Sequence, residues 1–180
     1  AGSAGCTLAN RLSADTSVSV LLLEAGPVDK FPMIHMPGGM LEVFKHGGYH
    51  WQTPTVPQEH LNDRQITLIT GKTLGGSSSV NGMLHIRGTA ADYNRWASEE
   101  GCEGWSYEDV LPYFRATETS SDGANEQRGG AGELSAASVP EHYPTAKLVN
   151  HYQDAAREQG IVAREDFCDG IAEGVGWTQA

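Results

Sequence analysis

The order of patterns across residues 1–24 constrains this chain most. Gly5, Leu8, Ala9 and Leu12 fall at i, i+3, i+4 and i+7, so Ala4 to Leu12 is expected to be a helix with one apolar stripe. Val18 to Leu23 follows as a short, nearly continuous apolar run with β-branched residues at its start, the pattern of a buried parallel strand. Glu24 closes it. Helix, strand and acid in that order make the last two-thirds of a dinucleotide-binding βαβ unit. Gly2 and Gly5 fit the second and third glycines of its G-x-G-x-x-G fingerprint. The first glycine and the strand before it would lie upstream of residue 1, so the chain is expected to be a piece of a longer product. Glu24 follows Gly5 by 19 positions, close to the roughly 20 expected of the acid that binds a ribose hydroxyl. In that reading Gly2 lets backbone approach a pyrophosphate. The helix start at Ser3, Ala4 and Gly5 favours its negative charge, and Glu24 with Ala25 receives the ribose. The alternative is a glycine-containing helix start followed by a surface glutamate.

A second glycine-rich run, "ITGKTLGGSSSVNG" at residues 69–82, offers two kinds of phosphate loop. Gly71, Lys72 and Thr73 match the end of a Walker loop, but that pattern needs a glycine five positions before Gly71. Ile66 stands there, which excludes it. Ile66 and Leu68 alternate with polar residues, so the run is expected to be strand, glycine turn, then helix. Gly75 and Gly76 let backbone press against a ligand. Ser77, Ser78 and Ser79 supply hydroxyls and free N–H groups at a helix start. A capped helix after a tight turn explains the same residues.

The stretch "GKTLGGSSSVNGMLHIRGTAADYNRW" resembles the first signature of the glucose–methanol–choline (GMC) oxidoreductases. Lys72, Leu74, Gly75-Gly76, Ser77-Ser78, Val80 and Asn81 match that pattern in order, and Gly88 and Asn94 match further on. His85 departs from it, standing where the family commonly has an aromatic residue or alanine. "AGSAGCTLANRLS" and "LLLEAG" are similar to the family's N-terminal FAD fingerprint. "GWSYEDVLPYF" and "DGIAEGVGW" are similar to later family segments. The resemblance covers nearly the whole chain and is strongest to choline dehydrogenase-like members.

The resemblance implies an α/β, Rossmann-like FAD-binding fold, its βαβ unit lacking the first strand here, with the beginning of an α+β substrate domain. It places the FAD-binding domain at residues 1–130 and the start of the substrate domain at 131–180. It carries Thr73, Gly75, Gly76, Ser77, Asn81, Gly82, Met83 and Leu84 over as cofactor contacts, beside Gly2, Ser3, Ala4, Gly5, Glu24 and Ala25. Some relatives attach FAD covalently through a histidine within the signature. Val80 stands at that position, which implies non-covalent FAD. The implied reaction removes a hydroxyl proton from a small-molecule alcohol and passes a hydride to flavin N5, giving an aldehyde. The electron acceptor is open. The family's base is a histidine near its C-terminus, and none of this chain's histidines sits in that motif. No catalytic residue is therefore assigned, and the chain is expected not to turn over alone. A hydroxynitrile lyase, a non-catalytic FAD-binding remnant and an NAD-dependent Rossmann enzyme are the other readings.

The remaining patterns are structural. Residues 27–65 are rich in Pro and Gly and are expected to be a long loop over the cofactor, with Trp51 in the core. Thr89/Asp92 and Ser106/Asp109 are capping pairs, and Pro112 is expected to kink or break the second helix. Tyr93, Trp96, Tyr113 and Phe114 are expected to pack. Residues 120–132 read as a flexible loop or linker, and "GELSAAS" as a short strand. Pro144 is expected to open a helix striped by Leu148, Val149, Tyr152, Ala155 and Ala156, stopped by Gly160.

With 23 acidic and 12 basic residues the formal charge is −11, which argues against nucleic acid as a partner. No apolar run is long enough to span a membrane. Cys6, Cys102 and Cys168 are far apart, and no Cys/His set has metal spacing, so idle thiols and no metal are expected. His35, His46, His50, His60, His142 and His151 are expected to be structural or solvated, and His85 to pack.

Overall fold

The glycine-led start of the chain folds largely as its pattern predicts. Helix α1 spans Ser3–Leu12, with Gly2 in extended backbone as its N-cap. The computed structural model describes residues 1–138, 146–171 and 173–180. These form two compact units, Ala1–Met83 and Leu84–Ala180.

In the first unit α2, Met40–His46, ends at Gly47, whose φ of 72° is the left-handed stop that glycine allows. Strands β1, His50–Pro54, and β2, Thr67–Gly71, pair antiparallel from His50↔Gly71 to Pro54↔Thr67. The pairing runs on at both ends, through Lys72 N to Tyr49 O at 2.8 Å and Thr55 N to Ile66 O at 2.9 Å. A small core of Val43, Tyr49 and Val80 collects Phe31, Met33 and Ile34. His50 is buried and stacked on Phe44, 4.9 Å between centroids. Burial lowers its pKa, so it packs as a neutral ring.

Three expectations for this unit are corrected. Val18–Leu23 is not a strand, and its apolar side chains are exposed, Leu21 at 82% and Leu23 at 74%. A strand exists only through a partner's hydrogen bonds, and among the described residues no segment pairs along this run. Residues 27–65 are not one long loop, since they contain α2, β1 and three single 3₁₀ turns. The expected helix at Ser77 is one 3₁₀ turn, Gly76–Ser79, because the chain departs from helical backbone again at Val80.

In the second unit α3, Ala90–Glu99, and α4, Tyr107–Thr117, each begin with a complete capping box. The Asp92 and Asp109 amides donate to the Thr89 and Ser106 hydroxyls, and each aspartate accepts the cap residue's own N–H. Thr89→Ala and Ser106→Ala should each cost about 1 kcal/mol, read as a lower urea midpoint at unchanged slope. Helix α4 runs unbroken through Pro112, against the expected break. Tyr93 packs edge-on against Trp96 and Phe114, at 5.3 and 5.7 Å. Tyr113 is instead 74% exposed.

Strands β3, Glu118–Ser120, and β4, Leu134–Ala136, pair in parallel. The segment between them is no free linker. Arg128 is 2% exposed, and its Nε and Nη1 reach Glu118 and Asp166 at 2.7 and 2.9 Å. Helix α5 is described over Ala146–Glu158, and Gly160 follows with a φ of 79°. It buries Ala146, Gln153 and Ala156, while Leu148 and Tyr152 stay exposed, so the predicted stripe is only partly the buried face. Pro144 and His142 lie outside the described residues.

Candidate functional site

The two glycine runs meet within the first unit. Gly75 N donates to Ala1 O at 2.8 Å, and Gly2 and Gly75 form a parallel bridge. On its other side the Ala1 nitrogen donates to Leu23 O at 2.8 Å. Ala1–Gly2 thus lies between the end of the apolar run and the signature loop. Gly76 is buried with a φ of 59°, and a Cβ there would come within 2.8 Å of Gly2 Cα. Only glycine allows that backbone contact without strain. Gly26 makes the matching approach two residues after Glu24, where a Cβ would fall 2.0 Å from Lys72 O.

Serine and threonine side chains fix the loop. Ser77 Oγ accepts from Gly71 N at 2.9 Å, and Ser79 Oγ donates to Leu74 O at 2.7 Å. Ser3 and Ser78 share a short hydroxyl hydrogen bond that ties α1 to the loop. Thr73 is fully buried and donates to Pro27 O at 2.8 Å, so it fastens the turn after Glu24.

This packing leaves an open cavity of about 500 Å³. It is lined by Gly2, Ser3, Ala4 and Gly5 at the start of α1, by Glu24 and Ala25, and by Gly76 and Ser77. No side chain caps α1, and its first turn holds no acid. Its N–H groups and the positive end of its dipole therefore favour an anion, such as a diphosphate. Glu24 accepts from Gly26 N at 2.8 Å, and its other oxygen lies 3.0 Å from the Ala1 nitrogen. It is an ionised acceptor at the cavity edge, as binding a ribose hydroxyl requires.

The loop continues into a second cavity of about 210 Å³, lined by Val80, Asn81 and Met83 with Met33, Met36 and Met40. All four methionines of the chain meet there. Asn81 Oδ1 accepts from Met83 N at 3.0 Å and holds Met83 at a φ of 59°. That is an unusual conformation for a residue with a side chain. Gly82 lies beside Met40. Leu84 begins the second unit and is 67% exposed.

Eight of the fourteen predicted contacts therefore share one cavity, and Asn81 and Met83 share the next. Thr73 and Gly75 support the loop from behind. Trp51, expected in the core, is 46% exposed and lines the first cavity, with Lys72 Nζ 4.2 Å from its ring centroid. Within β1 only His50 is buried, and Trp51 to Pro54 are exposed. Period-two reading from a buried histidine would have turned Trp51 outward. Gly26 was also missed, since its need for a bare backbone arises from Lys72, far along the chain. Among the described residues no group of three His, Cys, Asp or Glu could hold a metal ion, and no helix is long and apolar enough to cross a membrane.

Residues 1–180 match the model of the GMC oxidoreductase family over their full length. The chain belongs to the GMC oxidoreductase family. It is 41% identical over 175 residues to an oxygen-dependent choline dehydrogenase of Sinorhizobium fredii, covering 97% of this chain and 31% of that protein. It is 42% identical over 184 residues to a mitochondrial choline dehydrogenase of Mus musculus, covering 98% of this chain and 30% of the relative. It thus spans about a third of the length of the curated relatives it matches. Among solved structures, pyridoxine 4-oxidase from Mesorbium loti superposes with a TM-score of 0.84 at 29% identity, over 99% of this chain and 35% of the other. An FAD-dependent oxidoreductase from Chaetomium thermophilum gives 0.78 at 30%, over 99% and 32%. The fold of this GMC family member is therefore the α/β, Rossmann-like one expected, although its own sheets are small.

Proposed function

We propose that this chain is the FAD-binding part of a flavin-dependent alcohol dehydrogenase or oxidase of the choline dehydrogenase type. The observation that carries the reading is the cavity that joins the uncapped start of α1, Glu24 and the Gly76–Ser77 turn. Its residues suit the adenosine diphosphate half of FAD. Gly2 and the first turn of α1 would take the diphosphate, and Glu24 the ribose. Gly76 and Ser77 would lie along the opposite side with backbone and hydroxyl groups. The methionine-lined cavity follows along the same loop and suits the flat, mostly apolar flavin half, with Asn81 and Met83 as its polar and apolar contacts. When bound, FAD supplies the hydride acceptor. The chain's residues bind and orient it, and no side chain here is assigned a proton transfer. Within the longer protein, residues 1–130 are proposed as the FAD-binding domain and 131–180 as the start of the substrate domain.

We read the flavin linkage as non-covalent, because Val80 offers no nucleophile at the position where some relatives attach FAD. Acid precipitation of the intact holoprotein should release all its FAD into the supernatant. A yellow pellet would show a covalent bond. The proposed substrate class is a small-molecule alcohol, oxidised to an aldehyde. An added alcohol substrate such as choline should bleach the flavin of the intact protein under anaerobic conditions. A flavin that stays oxidised with every alcohol tried, while a cyanohydrin is cleaved, would assign the lyase reaction instead.

A further inference from the structure

We infer that Trp51 and Lys72 form part of the cofactor site, as an aromatic wall and the cation that holds it. The inference rests on the FAD reading above and adds two residues to it. Trp51 is the one aromatic side chain lining the glycine cavity. It stands on the outer face of β1, opposite Thr70 of β2, while its neighbour His50 is turned into the core. A large indole left 46% exposed in that position has apolar area to cover. Its ring is also held in place. Lys72 Nζ lies 4.2 Å from the centroid, within the range of a cation–π contact.

The Lys72 backbone is fixed on two sides, by Tyr49 O and by the close approach of Gly26. The pair is therefore set before any ligand arrives. The charge balance points the same way. The side chains lining this cavity include one carboxylate, Glu24, and no lysine or arginine. A diphosphate carries about two negative charges at neutral pH, more than a helix dipole of roughly half a charge offsets. Lys72, next to the lining, supplies a full positive charge. Trp51 covers the bound cofactor, and Lys72 is a positioning residue that orients the ring and adds long-range attraction.

The test uses the intact protein, stripped of flavin and titrated with FAD and with ADP. Trp51→Leu is expected to weaken FAD binding about tenfold or more, in line with the loss of an aromatic stacking surface. Trp51→Phe keeps an aromatic face and should stay within about threefold of wild type. It should also lose the part of the tryptophan emission change that ADP binding causes. Lys72→Gln should weaken binding about threefold to tenfold at low salt, and its affinity should depend less on salt than that of wild type. Circular dichroism confirms that each variant is folded. Wild-type FAD affinity in Trp51→Leu, or an unchanged ADP-induced emission change in Trp51→Phe, would overturn the inference and leave the FAD reading intact. A wild-type protein that binds neither FAD nor ADP would overturn both.

Discussion

Replacing Glu118 with glutamine should destabilise the second unit by about 3–5 kcal/mol at neutral pH, the usual cost of breaking a buried ion pair from one side. Glu118 is 1% exposed. Its Oε1 accepts from Arg128 Nε at 2.7 Å and from Gly129 N at 3.1 Å. Its Oε2 accepts from Arg87 Nη2 at 2.7 Å and lies 2.8 Å from His85 Nε2. Burial pushes this carboxyl's pKa up, but Arg128, Arg87, His85 and the Gly129 amide outweigh burial and hold it at about 2. The folded protein therefore binds this proton less readily than the unfolded chain does. The charge contributes about 3 kcal/mol, fully present above the ordinary glutamate value near 4.5 and lost as pH falls toward 2. Glutamine keeps the shape and loses the charge, so two buried guanidinium groups face a weaker acceptor. The difference between wild type and Glu118→Gln in denaturant unfolding should be large at pH 7 and shrink below pH 4. Equal stability at pH 7 would show that the network is energetically idle.

Gly76→Val should remove the flavin. A valine there must adopt a φ near 59°, and its Cβ would press on Gly2 Cα. Backbone strain of that kind costs about 1–3 kcal/mol, before any clash is relieved. The relief available is for Gly2 to move away, which opens the cavity where α1 begins. FAD affinity should fall at least about 100-fold, because a shift of roughly an ångström spoils several hydrogen bonds to one ligand together. The measurement is the flavin retained after desalting, with circular dichroism as the folding control. Gly38→Ala is the matched comparison, since a Cβ there meets nothing within 4 Å. It should keep its flavin.

What the sequence made readable was what depends on neighbours in sequence. The two capping boxes, the Gly160 stop and the start of α1 each follow from a few adjacent residues. The tight turn of the signature loop was readable because Gly75 and Gly76 are bare for a backbone reason. The losses are non-local. Val18–Leu23 has strand composition, but composition does not provide a pairing partner. Arg128 sits in a polar, glycine-rich stretch that looks like a linker. Its burial is set by Glu118 and Asp166, 10 and 38 positions away. Trp51 was misjudged because a tryptophan on a strand can face either way, and His50 holds the inner side. In the site, Gly2, Glu24 and Gly76 were legible one at a time. That they share one cavity became visible only in three dimensions.

The central claim is that residues 1–83 build an FAD cradle. Purifying the intact protein and extracting whatever it carries tests this most directly. The expected result is the two-banded visible spectrum of oxidised flavin, about one FAD per protein chain by mass of the extract, and loss of that flavin in Gly76→Val. A colourless protein that takes up no added FAD, or one that carries a nicotinamide dinucleotide in the same cavity, would contradict it.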